Sequence, residues 1–207
     1  KAFSRDENGN VYNLTSERAD TDFASFKSDF EKAILVGTSG SGSEKSLESI
    51  KKSRQFNPSW YSETDSLLVF IIVSDEKEQS YSASSVKNQE QHNTNIDEWI
   101  ALFNSWKTEE NRIKVYPIIN KAVDSFNRYM LIADKTNSDL YDLASPFSTI
   151  LDSISTDVSN LVNSFPLKQD YIIEEDTIVV TIDGIEVDGW TYLDGAISFS
   201  TPPAHGK

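Results

Sequence analysis

The run Leu67-Leu68-Val69-Phe70-Ile71-Ile72-Val73 constrains the fold of this chain more than any other segment. Seven consecutive apolar residues lack the alternation of a half-solvated strand and read as a strand covered on both faces. Strands of that kind belong to parallel sheets, whose crossover helices cover both sides. The run is therefore expected at the centre of a parallel sheet. Polarity returns abruptly at Ser74-Asp75-Glu76-Lys77-Glu78, and open α/β sheets place their ligands beyond the carboxyl ends of their strands. Asp75 is the leading candidate for a functional carboxylate there, while Glu76, Glu78 and the later Asp97 read as surface charges.

The flanking sequence supplies the helices. Residues 1–22 are polar, with Asn8-Gly9-Asn10 between short aromatic or β-branched patches, the pattern of an irregular hairpin or loop. Phe23, Phe26, Phe30, Ala33 and Ile34 fall at helical spacing and predict one apolar face. Leu35-Val36-Gly37 then leads into the small-residue loop Thr38-Ser39-Gly40-Ser41-Gly42-Ser43. Ser43 and Glu44 predict the start of a helix reaching about Arg54, with Leu47 and Ile50 turned to the core. A Ser/Asn/Gln-rich loop extends to about Asn95. Ile96, Trp99, Ile100, Phe103 and Trp106 then define an amphipathic helix capped by Asn95 or Asp97. Trp99 and Trp106 share its apolar side and read as core residues rather than as a sugar-stacking platform.

A second strand is expected over residues 113–119 and a third over 129–133. Residues 140–165 read as helical with a break near Ser145-Pro146 and a core stripe of Ile150, Ile154, Val158, Leu161 and Val162. Beyond Pro166 the pairs Asp183-Gly184, Asp188-Gly189 and Asp194-Gly195 punctuate β-rich runs at 177–182 and 196–199, as in a small antiparallel meander. Two domains follow from this layout: an α/β domain over residues 1–165 and a β-rich segment over 166–207.

Composition narrows the function. With 207 residues, 38% of them hydrophobic, the chain can fill a sizeable core. Its 19 basic against 33 acidic residues give a formal charge of −14, which repels phosphate backbones and anionic lipid and argues against nucleic-acid or membrane-surface binding. Cationic partners or divalent metals suit it better. The absence of cysteine leaves no disulfide framework and no thiol site. No stretch reaches the ~18 apolar residues of a membrane span, so a soluble chain without membrane insertion is expected. The opening Lys1-Ala2-Phe3-Ser4-Arg5-Asp6 has neither a signal peptide's apolar core nor an initiator methionine, as in a processed or excised piece of something larger.

Asp75 after its apolar run, together with Gly40-Ser41-Gly42-Ser43-Glu44-Lys45-Ser46-Leu47, resembles two of the three metal-site motifs of a von Willebrand factor A domain. The likeness is to a bacterial-type subset in which Gly-Ser-Gly-x-Glu precedes a strand ending Ser-Asp-Glu, followed by a C-terminal β segment. Asp183-Gly184, Gly189-Trp190-Thr191-Tyr192, Ile197-Ser198-Phe199 and Pro202-Pro203 fit that segment, so the resemblance spans about residues 30–203. It implies an α/β fold with an open, mostly parallel central sheet flanked by helices, Rossmann-like, and a small antiparallel β appendage at the C-terminus. It also implies a protein-binding or adhesion module rather than an enzyme. Asp75, Ser41 and Ser39 would hold Mg2+, or Mn2+ or Ca2+, and an acidic residue of a protein partner would complete the coordination. Mg2+ takes about six hard oxygens and keeps several waters, so hydroxyls and one or two carboxylates suffice. The family's first motif, an Asp-x-Ser-x-Ser loop after a central strand, does not precede Ser41. That strand would then come from another chain or segment. An extracellular or cell-surface location goes with this reading.

Other readings remain open. The fold could serve as a structural scaffold in a larger assembly, a virion or a cell-surface appendage, without a functional metal site. A hydrolase using Asp75 and Glu76 lacks an identified acid/base partner. Asp134-Lys135-Thr136-Asn137-Ser138 formally satisfies Asp-x-Thr-x-Ser but reads better as a cap-rich surface turn. His92 and His205 lie far from any second zinc ligand at useful spacing. The resemblance of residues 37–45 to a phosphate-binding loop fails because the lysine follows Glu44 rather than glycine.

Overall fold

The computed structural model describes residues 3–5, 11–34, 44–56, 58–61, 66–80, 88–108, 112–120, 128–167, 174–193 and 195–200. The chain divides into two compact units, Lys1–Ala144 and Ser145–Lys207. The division falls ahead of residues 147–163, a helix that the sequence reading grouped with the first domain.

The first unit opens with β1 (Phe3–Arg5) paired antiparallel to β2 (Val11–Asn13), followed by α1 (Ser16–Thr21) and α2 (Phe23–Ile34). Thr15 caps α1 by accepting the Arg18 N–H at 3.3 Å, and Asp22 accepts the Ser25 N–H at 3.2 Å at the start of α2. That hydrogen bonding holds the Asp22 carboxyl below its ordinary range. Arg18 crosses to Asp29 at 2.6 Å, and the guanidinium lowers the Asp29 pKa in the same way. The Phe23, Phe26 and Phe30 rings stack in sequence along α2, but Phe23 and Phe30 stay exposed. The apolar face that the spacing predicted is thus formed and only partly covered.

The α/β core follows: α3 (Ser46–Phe56), a 3-10 turn (Pro58–Tyr61), β3 (Leu68–Ser74), α4 (Gln89–Asn104), β4 (Ile113–Ile119), α5 (Arg128–Lys135) and β5 (Tyr141–Asp142). β3, β4 and β5 form a parallel sheet in that order. The apolar run does become a strand, but not the central one. Among the described residues β3 lies at the edge, and β4 is the strand buried along its whole length. Side chains alternate across a strand: Leu68, Phe70 and Ile72 turn to the core, while Ile71 and Val73 are 45% and 55% exposed. Seven apolar residues alone could not distinguish a strand covered on both faces from one covered on a single face.

The ladder orientation explains a proline inside β4. The Leu68 N–H donates to the Arg112 carbonyl at 2.8 Å, and the Asn120 N–H to the Ser74 carbonyl at 3.4 Å. Even-numbered residues of both strands therefore bond across the β3–β4 seam. Pro117 is odd-numbered, so its missing donor lies on the other flank, where β5 pairs only with Ile118 and Ile119.

One face of the sheet is packed by Leu47 and Ile50 of α3, by Ile96, Trp99 and Phe103 of α4 with Trp106 in the turn after it, and by Tyr129 and Ile132 of α5. Phe103 contacts Trp106 at 4.9 Å between ring centroids, Trp106 meets Tyr61 edge-on at 5.4 Å, and Arg54 covers the Trp106 ring at 4.9 Å. Both tryptophans are core residues, as their spacing indicated. α4 begins earlier than expected because Asn88, not Asn95 or Asp97, caps it by accepting the Gln91 N–H at 2.9 Å.

Residues 129–133 form part of α5 rather than a third strand. Arg128, Tyr129, Ile132 and Ala133 are buried while Met130 is exposed, which is a helical and not an alternating pattern. The predicted helix over 140–165 starts only after Pro146, because Tyr141 and Asp142 pair with Ile118 and Ile119 instead.

The second unit contains α6 (Phe147–Asn163), β6 (Ser164–Pro166), a 3-10 turn (Glu175–Thr177), β7 (Thr181–Ile182), β8 (Ile185–Glu186), β9 (Trp190–Leu193) and β10 (Ala196–Phe199). An antiparallel sheet runs β6-β10-β9, and β7 pairs with β8 across Asp183-Gly184. Positive φ at both turn residues, 52° and 78°, is the geometry for which an Asp-Gly hairpin is selected. Ile150 and Ile154 are the buried residues of the α6 stripe, and Val162 is exposed. No helix among the described residues is long and apolar enough to cross a membrane.

Truncating Phe103, which is fully buried among aromatic rings, should cost about 3–5 kcal/mol, read as a lower urea midpoint for Phe103→Ala. Because the folded-state pKa of Asp29 is depressed, its contribution is present above the ordinary carboxyl value of 3.8 and is lost as pH falls through the depressed one. Acid titration of stability should therefore be shallower below about pH 4 in Asp29→Asn than in the parent chain.

Candidate functional site

The carboxyl end of β3 is shaped by its last residue. Ser74 accepts the Glu76 N–H at 3.2 Å and donates to the Glu76 carbonyl at 3.0 Å, bending the chain off the sheet in a hydroxyl-stabilised turn. Asp75 and Glu76 are exposed on this turn. No described residue hydrogen-bonds or pairs with the Asp75 carboxylate.

Beneath this turn lies an arrangement that sequence reading missed. Glu78, expected as a surface charge, is 1% exposed and forms an ion pair at 2.9 Å with Arg128, itself 2% exposed. The Arg128 Nε donates a second bond to the same carboxylate oxygen at 3.0 Å. Glu78 also accepts the Ser80 N–H at 3.0 and 3.1 Å, the Ser80 hydroxyl at 2.5 Å, and the Leu47 N–H at 3.5 Å. The Arg128 Nη2 reaches the Asn95 Oδ1 at 2.8 Å and the Ser80 carbonyl at 3.3 Å, while Nη1 has no partner among the described residues. A buried charge is tolerated only when paired and hydrogen-bonded, and both conditions are met here.

The loop after β3 thereby caps α3. The Glu48 N–H donates to the Ser80 hydroxyl at 3.0 Å, and Glu78 accepts from Leu47, so two donors at the start of α3 are satisfied from a segment far away in sequence. A main-chain bond from the Gln79 N–H to the Glu44 carbonyl at 2.7 Å closes the same junction. Ser46 adds a hydroxyl bond to Tyr129 at 2.9 Å. Residues 44–48 and 78–80 are consequently fastened together at the carboxyl end of β3. Ser43, the expected cap of α3, lies outside the described residues, as do the candidate metal ligands Ser39 and Ser41.

Among the described residues no group of three or more His, Asp or Glu side chains could hold a metal ion. Asp75 is one exposed carboxylate at the end of β3, and carboxylate and hydroxyl oxygens are the donors that a hard cation takes. The run from Asp134 to Ser138 has a different job. Thr136 and Ser138 accept the Val115 N–H of β4 at 3.3 and 3.2 Å, supplying partners along the flank that β5 is too short to cover. Asn137, in the left-handed region at φ 48°, turns the chain out of α5. Those hydroxyls are engaged by the backbone, but Thr136 is buried and the chain continues into β5, so the run is not the surface turn ahead of a helix that the sequence suggested. His92 falls within α4, and His205 lies outside the described residues. Asp97 is an exposed charge and pairs with Lys135 at 2.5 Å.

Comparison with family models, with curated proteins and with solved structures found no match to this chain.

Replacing Arg128 by methionine strands the Glu78 carboxylate in the interior and should cost about 3–5 kcal/mol in urea unfolding. Adding Glu78→Leu to Arg128→Met should recover part of that loss, because the remaining buried charge is removed. A double variant less stable than Arg128→Met would show that the carboxylate's bonds to Ser80 and Leu47 outweigh its pairing.

Proposed function

We propose that this chain is a protein-binding module of the von Willebrand factor A type, an open α/β fold that grips a partner's carboxylate through a divalent cation. The observation that carries the reading is the junction between residues 44–48 and 78–80 at the carboxyl end of β3. It fastens the chain emerging from the Ser39 and Ser41 loop to the same rim that exposes Asp75. The parallel order β3-β4-β5, with helices α4 and α5 between successive strands, supports the Rossmann-like assignment.

In this module Asp75 supplies the anionic oxygen, and Ser41 and Ser39 supply hydroxyl oxygens. The buried Glu78–Arg128 pair fixes the backbone of the loop after Asp75 and its junction with the start of α3. When bound, the cation provides a positive centre with exchangeable coordination positions, which Mg2+ favours and Mn2+ or Ca2+ can substitute. The charge of −14 gives such a site a second consequence: an acidic partner is repelled by the bare chain and attracted only at the cation. Binding of that partner is then cation-dependent, as suits an adhesion module at a cell surface or outside the cell.

Isothermal titration with Mg2+ and with Mn2+ tests the reading. The parent chain should release or absorb heat on saturation, Ser41→Ala should weaken binding by at least about tenfold, and Asp75→Ala should abolish it. Equal titrations for the parent and Asp75→Ala would refute the cation site.

A further inference from the structure

We infer that the edge of β3 that pairs with no strand among the described residues is a strand-addition site for an extended, apolar segment of another polypeptide with basic residues at one end. The inference stands on the sheet edge alone and does not depend on a cation at Asp75.

In a parallel ladder a residue's N–H and C=O point to the same side. Leu68 and Ser74 bond toward β4, so the even-numbered residues of β3 face that strand. Val69, Ile71 and Val73 then direct three donors and three acceptors to the opposite side. These groups have no strand partner among the described residues. The side chains of Ile71 and Val73 are also exposed, at 45% and 55%.

Edges left open in this way are normally blunted by charge, proline, a bulge or extreme shortness. β3 has none of these devices. Its seven residues contain no charge and no proline, it pairs with β4 without a bulge, and it matches β4 in length. By contrast, on β4's flank beyond the short β5 the Val115 N–H is taken up by Thr136 and Ser138. Among the described residues the outer side of β3 has no such partner, and its row of backbone groups is flanked by apolar side chains.

A row of alternating donors and acceptors is met in full only by another extended backbone, which specifies the occupant's conformation. Charge specifies the rest. A second copy would bring another −14 to the edge, whereas a segment with lysine or arginine beyond its apolar stretch would meet the exposed Asp75 and Glu76 at the carboxyl end of β3. The partner is therefore a β-forming segment, apolar on the side that meets Ile71 and Val73 and basic at one end.

The test uses the full chain in EDTA, so that loss of a cation site cannot alter the outcome. Amide exchange at Val69, Ile71 and Val73 should be fast in the chain alone and become protected on adding the peptide Thr-Val-Thr-Val-Thr-Val-Lys-Lys. Fluorescence anisotropy of the labelled peptide should show saturable binding. Binding should weaken at least about tenfold when Glu-Glu replaces Lys-Lys, when the central valine is N-methylated, or when the chain carries Ile71→Lys at its exposed edge. Protection of the three amides without peptide at micromolar concentration would show that the chain covers its own edge. Concentration-dependent protection with dimers in sedimentation would show a second copy. Absence of peptide binding, or binding indifferent to Ile71→Lys, would equally overturn the proposal.

Discussion

The carboxyl end of β3 and the starts of α3 and α5 are organised around one buried charge pair. Glu78 and Arg128 are both buried, and withdrawing two ions from water costs several kcal/mol each before their attraction is counted. That cost fixes geometry. The carboxylate is satisfied only while Ser80, Leu47 and Arg128 donate to it, and Arg128 also holds Asn95. One arrangement of the loop after β3, the start of α3, the first half of α4 and the start of α5 meets all of these demands together. The rim of the sheet is pinned from beneath, while Asp75, on the outer side of the same loop, keeps its carboxylate uncommitted among the described residues. A carboxylate on a backbone fixed in this way is held in one place, which is what the proposed cation site would need.

The sheet extends this division between sealed and open surfaces. β4 is enclosed along its whole length, and on the flank that β5 leaves uncovered two hydroxyls accept the Val115 N–H. Among the described residues β3 has an open end and an open side: an exposed carboxylate at its terminus, and a row of backbone groups between apolar side chains along its edge. On a chain with 33 acidic residues against 19 basic ones, the exposed carboxylates at that end favour positive charge in whatever approaches.

Much of the fold was legible because periodicity and turn chemistry act locally. The spacing of Trp99, Phe103 and Trp106 fixed a helix and its buried face, the apolar character of residues 113–119 fixed β4, and Asp183-Gly184 fixed a hairpin. The misreadings share a physical cause, since each was decided by contacts distant in sequence. Residues 129–133 are equally apolar as strand or helix, and burial of Arg128 and Tyr129 against the core selected the helix. Leu67 to Val73 resembles a central strand because nothing within it records how many neighbours it has. Glu78 looked like one more loop charge, because its partner lies fifty residues away and no local pattern links the two. For the candidate site, the sequence singled out Asp75 at a strand end. It gave no sign that Ser80 and Glu78 would cap α3, which is what draws residues 44–48 to that rim.

The central claim is that the pinned rim beside Asp75 is where a divalent cation binds. Paramagnetic broadening of backbone amide signals by sub-stoichiometric Mn2+ tests it directly, because the effect reports distance from the ion residue by residue. The account predicts selective broadening at residues 75–77 and 39–44, with the turn at 136–138 unaffected. Broadening centred on residues 136–138, or spread evenly over the acidic surface, would contradict it.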